Sequence, residues 1–185
     1  MIVSKRLGLS VMVIAAVLGA WGGAPVGAAA HARVEGAVSV RTVVVDEDNT
    51  QQPVGTVTTR TWTFTPECAS GGCVTRLDRV RNTSPRVTTY RLKPRQTATG
   101  ELVYRATIRA VTDCFSAAGA VLFPDGMETV ERIEVKTRRM DAQNAAGKIK
   151  GELRAEFTPT AAASAAGCRG GFSELAFRSV GTFVR

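Results

Sequence analysis

The segment from Trp62 to Cys73 constrains the fold more than any other part of this 185-residue chain. It reads Trp-Thr-Phe-Thr-Pro-Glu-Cys, then Ala-Ser-Gly-Gly, then a second cysteine. Side chains of a strand alternate between two faces, so Trp62 and Phe64 lie on one side of a predicted strand and begin a β core. The short tip brings Cys68 and Cys73 within bridging distance, which predicts a disulfide-closed hairpin.

Alternation of apolar and polar residues continues along most of the chain. It is clearest at 101–113, where Leu102 and Tyr104 share one face and Arg105 and Arg109 the other. Such alternation is typical of an antiparallel sheet with one buried face. Asp125-Gly126 predicts a hairpin turn, and the Ala-rich segment 161–166 predicts a short helix. Further strands are predicted at residues 38–45, 54–65, 73–81, 86–93, 128–138, 148–157 and 172–184.

These strands, joined mostly by short connections, predict an all-β fold. We expect an antiparallel meander of about eight strands that closes into a small barrel, because closure removes exposed sheet edges. A β-sandwich is the alternative. Neither an internal repeat nor a linker divides the chain, which predicts a single domain at 33–185.

The N-terminal segment has the three parts of a secretory signal peptide. Lys5 and Arg6 precede an apolar run at 7–20, and small residues with A-x-A patterns follow. We therefore predict cleavage after Ala30 or Ala32, a signal peptide at 1–32, and a secreted or cell-envelope protein without a transmembrane segment after cleavage.

Four cysteines, Cys68, Cys73, Cys114 and Cys168, remain in the predicted mature domain. An even number in an exported domain indicates two disulfides. Three connectivities are possible, and we favour Cys68–Cys73 with Cys114–Cys168. A zinc site is disfavoured, since the spacing differs from paired C-x₂-C knuckles and no histidine lies nearby.

Histidine is almost absent, since His31 is the one histidine in the sequence. Cleavage after Ala32 removes it, and with it Ser-His-Asp, Cys-His and His-ligated metal chemistry. A carboxylate-dependent hydrolase remains a remote alternative, with Asp113 beside Cys114 as the acid of interest. We predict that the protein is not an enzyme, with no catalytic residue, cofactor or metal.

The chain is basic, with 24 Lys and Arg residues against 16 Asp and Glu. Such a charge attracts anionic wall polymers, lipid headgroups or nucleic acid. Nucleic acid is not expected, because the aromatics lie on apolar faces and cannot stack on bases. We predict a monomer that contacts anionic envelope components through an Arg-rich sheet face. The candidate anion-binding residues are Arg91, Lys93, Arg105, Arg109, Arg132 and Lys136, and Arg76, Arg79, Arg95, Arg138 and Arg139 are also assigned outward.

The apolar faces allow a second hypothesis, a carrier with a small apolar ligand in a barrel cavity. The candidate cavity residues are Trp62, Phe64, Tyr104 and Phe157. The alternative is that these side chains fill the core, which is usual in small barrels.

A family resemblance rests on four features of the chain: the signal peptide, the Trp62–Cys73 motif, the alternating strands and the two distant cysteines. The chain resembles small uncharacterised exported two-disulfide β-domain proteins of high-GC Gram-positive bacteria. That resemblance implies no assigned activity, so no functional residue is carried over. The meander is also similar to a lipocalin in outline, without the Gly-x-Trp opening near the mature N-terminus.

Overall fold

The computed structural model describes residues 34–48, 52–69, 72–81, 85–98, 102–116, 118–139, 146–181 and 183–184. The predicted signal peptide at 1–32, with both cleavage sites and His31, lies outside the described residues. Within these ranges the secondary structure is β1 (Gly36–Asp48), β2 (Val57–Ala69), β3 (Gly72–Val80), β4 (Val87–Gln96), β5 (Leu102–Phe115), β6 (Val121–Arg139), β7 (Ala146–Pro159), α1 (Ala161–Ala165), β8 (Gly171–Ser179) and β9 (Phe183–Val184).

Strands β1 to β8 form a closed antiparallel barrel. Each strand pairs with the next along the chain, and β8 pairs with β1 to complete the ring. The two-residue β9 pairs with the start of β7. The predicted eight-stranded meander and its closure into a barrel are therefore confirmed, and the sandwich alternative is not adopted.

Alternation in the sequence sets the inside and the outside of the barrel. On β1, Val38, Val40, Thr42 and Val44 are buried while the residues between them are half-buried or exposed. Strands β4 and β7 repeat the pattern with Tyr90, Leu92, Ile149 and Leu153 inside. Alternate burial along these strands is the physical basis on which the sequence specifies this fold.

The predicted hairpin at Asp125-Gly126 is wrong. Strand β6 runs through these residues, and the turn between β5 and β6 lies earlier, where the Ser116 N–H donates to the Ala120 carbonyl at 2.7 Å. Asp125 has a φ of 50° and its N–H donates to Asp113 Oδ1 at 3.0 Å. Asp tolerates this left-handed conformation, so it forms a bulge within one strand.

Two further predictions concern the C-terminal part. The short helix is confirmed as α1, and the hydroxyl of Thr160 caps it by accepting from the Ala163 N–H at 3.2 Å. The single strand predicted at 172–184 is wrong in part, because β8 ends at Ser179 and β9 begins at Phe183. None of the helices in the described ranges is long and apolar enough to cross a membrane.

The interior is divided into two parts, which we call the packed half and the open half. The packed half contains the fully buried rings of Trp62, Phe64 and Tyr104, and Trp62 meets Phe177 edge-on at a centroid distance of 4.8 Å. Packing here is so close that a Cβ on Gly151 would lie 2.5 Å from the Phe177 ring. The open half, toward the β5–β6 and β7–β8 connections, contains a cavity.

Candidate functional site

The open half encloses a cavity of about 430 Å³ that opens to solvent. Its size lies within the range of small-molecule sites in proteins. The lining mixes apolar side chains with polar ones, and the floor is charged. The polar members outside the floor are Gln52, Thr112, Asp113, Ser116, Arg169 and Ser173. The apolar wall includes Leu122, Met127, Leu153, Ala155, Phe157 and Leu175, and the charged floor consists of Arg79, Arg81 and Glu131.

A disulfide and a helix hold one side of this cavity. Cys114 at the end of β5 is bonded to Cys168 just after α1, and both cysteines line the cavity. Ala163 of α1 is fully buried in a small cluster with Met127 and the two cysteines. The predicted Cys114–Cys168 bond is confirmed, and it anchors the β7–β8 connection against the barrel mouth.

The other predicted disulfide lies in the packed half. Cys68 and Cys73 are directly opposite on β2 and β3, with Cα atoms 4.1 Å apart. The predicted disulfide-closed hairpin is therefore confirmed, and among the described cysteines none is free.

The floor of the cavity is a buried hydrogen-bonded cluster. Arg79 Nη2 donates to Glu131 Oε2 at 3.0 Å, and Arg79 Nε donates to the Tyr90 hydroxyl at 3.1 Å. The Tyr90 hydroxyl donates in turn to the same Glu131 oxygen. Because charged groups are costly to bury unless they are paired, each member of this cluster depends on the others.

Tyr90 is an internal hydroxyl held in its neutral form. Burial raises the pKa of its phenol far above the usual 10.0, and the neighbouring Glu131 carboxylate raises it further, against the opposing effect of Arg79. Tyr90 therefore remains a hydrogen-bond donor at every physiological pH. The hydrogen bond that it donates holds Oε2 of Glu131 in place.

Arg81 completes the cluster from the side of the opening. Its Nη2 lies 3.5 Å from Glu131 Oε1, and its Nε donates to Thr88 Oγ1 at 2.8 Å. The Arg81 side chain is 28% exposed, whereas those of Arg79 and Glu131 are each 6% exposed. Two guanidinium groups thus share one carboxylate, so the floor carries a net charge of +1.

The predicted cavity residues are divided between the two halves. Phe157 lines the cavity, half-buried, with Met127 and Ala155. Trp62, Phe64 and Tyr104 do not line it and belong to the main hydrophobic core. Three of the four aromatic residues thus fill the packed half.

The predicted anion-binding residues lie together on the outside of β4, β5 and β6, but most are engaged with glutamates. Arg105 and Lys136 both contact Glu134, at 2.6 and 2.9 Å. These contacts, led by the hydrogen bond from Lys136, lower the pKa of Glu134. Ion pairs also engage Arg91 with Glu67 at 3.5 Å and Arg132 with Glu156 at 2.8 Å, while Lys93 and Arg109 have no ion pair with a described residue.

A second group of exterior cations also lacks ion pairs within the described ranges. Arg41, Arg178 and Lys150 occupy directly opposite positions on β1, β8 and β7, on the outside of the barrel. We call them the basic row. Among residues the structure describes, no carboxylate lies within 4.0 Å of any of the three. Like charges placed directly opposite destabilise a sheet, so an anion on this row would relieve repulsion.

The outward assignment of Arg79 is wrong, and sequence reasoning missed Glu131 and Arg81 as site residues. Arg79 follows Leu77 by two positions, so strand alternation places both inside. The alternation that placed Ile133 and Val135 inside also places Glu131 there. Strand alternation therefore indicated that each residue points inward. It did not indicate that Arg79 and Glu131 pair with each other, because they lie 52 positions apart in the sequence.

The remaining acidic residues offer little catalytic geometry. Asp113 lines the cavity, but its carboxylate accepts the Asp125 N–H at 3.0 Å and so serves the β6 bulge. Across the described part of the chain, no group of three or more potential metal ligands occurs.

Comparison with protein-family models, curated proteins and solved structures finds no match. The fold and the cavity thus define a class, a closed eight-stranded antiparallel barrel with a ligand-sized cavity at one end. The side chains of that cavity are the basis for the function proposed below.

Proposed function

We propose that this protein is a non-catalytic binding protein that holds a small, mainly apolar molecule in the cavity of the open half. The observation that carries this proposal is a cavity of about 430 Å³ in which apolar and polar side chains surround a buried charged floor. Apolar walls with a few fixed polar groups are the usual composition of a small-molecule site.

The contrast between the two halves supports a binding role. An eight-stranded barrel is narrow enough for side chains to fill it, as Trp62, Phe64 and Phe177 do in the packed half. In the open half, small Ala155 lies directly opposite Glu131 and leaves the space above it open. A cavity next to a desolvated ion cluster is expensive to maintain, which favours a functional origin.

The setting that we propose is the cell envelope or the extracellular space of a bacterium. Two disulfides, Cys68–Cys73 and Cys114–Cys168, are compatible with an oxidising compartment. The predicted signal peptide at 1–32 supports export. The resemblance to exported proteins of high-GC Gram-positive bacteria supports the same setting.

Native mass spectrometry of the protein secreted by a bacterial host tests the cavity directly. We expect an extra mass that organic extraction removes. Ala155→Phe fills the space and should abolish the extra mass, whereas Thr107→Phe, on the outside of β5, should retain it. Extra mass that Ala155→Phe retains would place the ligand elsewhere and contradict the proposal. So would a bare mass in every preparation, combined with no binding of added apolar ligands.

The basic row favours a second candidate function, attachment to an anionic wall polymer. This candidate retains the partner class predicted from the sequence, although it uses Arg41, Lys150 and Arg178, which lie side by side without an ion pair to a described residue, whereas four of the six predicted residues are paired with glutamates. A flexible polyanion can follow the convex wall and neutralise adjacent strands.

Cosedimentation with isolated bacterial cell wall tests this candidate. Binding should collapse near about 0.5 M salt, where screening lengths shrink to a few ångströms. The triple change Arg41→Gln, Lys150→Gln and Arg178→Gln should abolish it. The matched triple change Arg91→Gln, Arg105→Gln and Arg132→Gln removes the same charge from paired residues and should weaken it less. Equal losses would assign attachment to overall charge and contradict a role for the basic row.

A further inference from the structure

The charge of the cavity floor indicates what kind of molecule the open half accepts. Arg79 and Arg81 bring two positive charges to a site where Glu131 brings one negative charge. The rest of the lining adds Arg169 and Asp113, one charge of each sign. The cavity as a whole therefore carries one positive charge that no lining group balances.

Within the floor, Arg81 is the more exposed of the two arginines. A guanidinium has five N–H donors, and two of its nitrogens contact Thr88 and Glu131. Its contact with Glu131, at 3.5 Å, is longer than the 3.0 Å contact of Arg79. Arg79 also uses two nitrogens, for Glu131 and Tyr90, but its side chain is only 6% exposed, whereas that of Arg81 is 28% exposed and can donate to an incoming group.

The rim of the cavity carries exposed apolar side chains that can contact the apolar part of a ligand. Phe115 and Leu122 line the opening and are each 46% exposed, and Val121, paired with Phe115, is 50% exposed. Large apolar side chains gathered at the mouth of a cavity favour the passage of an apolar molecule, whose polar end then reaches the floor.

We propose that the ligand of this cavity is an amphiphile with a single negative charge, such as a carboxylate on an alkyl chain, and that Arg81 binds its charged end. This inference rests on the proposed binding function and narrows it. A monoanion balances the floor and receives charge-assisted hydrogen bonds from Arg81. A neutral head leaves the positive charge unbalanced, and a cationic head is repelled.

A matched ligand series on the unaltered protein tests the inference. Decanoate, decanol and decylamine share one chain length and differ in the charge of the head. Isothermal titration calorimetry at neutral pH should give decanoate a Kd at least about tenfold below that of decanol, about 1.4 kcal/mol. Decylamine should bind most weakly. The preference for decanoate should decline as pH falls through about 5, where an alkyl carboxylate gains a proton.

Arg81→Gln should bring the Kd values of decanoate and decanol together, because the chain still binds while the positive charge is gone. Arg109→Gln, an exposed cation on the outside of β5, makes the same charge change and should leave the preference intact. Decanol binding as tightly as decanoate to the unaltered protein would overturn the inference and leave the proposed function standing. If none of the three ligands binds, the proposed function itself fails.

Discussion

In the packed half of the barrel, Trp62, Phe64 and Tyr104 exclude water with aromatic rings, whereas in the open half Arg79, Glu131 and Tyr90 meet beneath a cavity. Both halves are built from the same strands with the same inside–outside alternation. The difference is that apolar side chains in close contact fill the interior of the packed half, whereas hydrogen bonds and ion pairs hold the floor of the open half together. The packed half thus contributes close apolar packing, whereas the open half combines a buried ion cluster with the capacity to bind.

The largest expected effect comes from breaking the charged floor. Glu131→Gln leaves Arg79 and Arg81 facing each other without a carboxylate, and removing one partner of a buried ion pair costs about 3–5 kcal/mol. Denaturant unfolding measures this loss. The double change Arg79→Met and Glu131→Leu removes both charges and should recover part of the stability. A double variant less stable than Glu131→Gln would show that the cluster itself stabilises the fold.

The two disulfides extend the comparison to covalent bonds. Replacing Cys114 and Cys168 by serine opens a loop of 54 residues and should cost about 4 kcal/mol in the chain-entropy view. The same change at Cys68 and Cys73 opens a loop that spans a sequence separation of only 5 and should cost about 2 kcal/mol.

Only the first pair lines the cavity, so its loss should also release the bound molecule, as native mass spectrometry would detect. Release of the ligand from the Cys68 and Cys73 variant instead would contradict the division into two halves.

Strand β7 offers the closest test of packing, because Gly151 and Ala155 both lie on it, one in each half. Gly151→Ala places a Cβ in collision with the Glu134 carbonyl oxygen and should cost about 1–3 kcal/mol or more. Ala155→Val adds two carbons beside the cavity and should change stability by less than about 1 kcal/mol. Thermal unfolding of the two variants gives the comparison. Equal losses would mean that the open half is packed as tightly as the other.

Local patterns in the sequence were sufficient to predict the packed half. The hairpin from Trp62 to Cys73 is specified by neighbours in the chain, and alternation predicted the buried rings of Trp62, Phe64 and Tyr104. The turn at Asp125-Gly126 was mispredicted because pairing of 121–123 with the end of β5 outweighs a local turn preference.

The open half depends on contacts that no local pattern contains. Arg79 was assigned outward, and Glu131, the partner that compensates its buried charge, lies 52 positions away on another strand. Closure of the barrel brings the two together. The local sequence is equally uninformative about the outer surface of the barrel. There the strand register places Arg41 opposite Arg178, and it places Arg105 beside Glu134. Pairing across strands therefore decides which cations remain available.

The smallest expected effect concerns the ion pairs of Glu134 on the outer surface of the barrel. Because hydrogen bonds from Lys136 and then Arg105 lower the pKa of Glu134, its ionised form is favoured by folding. The stabilisation is present above the ordinary pKa of 4.5 and is lost as pH falls through the lower folded-state value.

Glu134→Gln should therefore cost at most about 1 kcal/mol at pH 7, and the difference from the unaltered protein should vanish in acid. Glu152→Gln, directly opposite on β7 and without an ion pair to any described residue, is the matched control and should not destabilise. Denaturant midpoints between pH 7 and about pH 3 provide the measurement. A loss that persists undiminished in acid would assign the role of Glu134 to packing, and the cations around it would then be as available as the basic row.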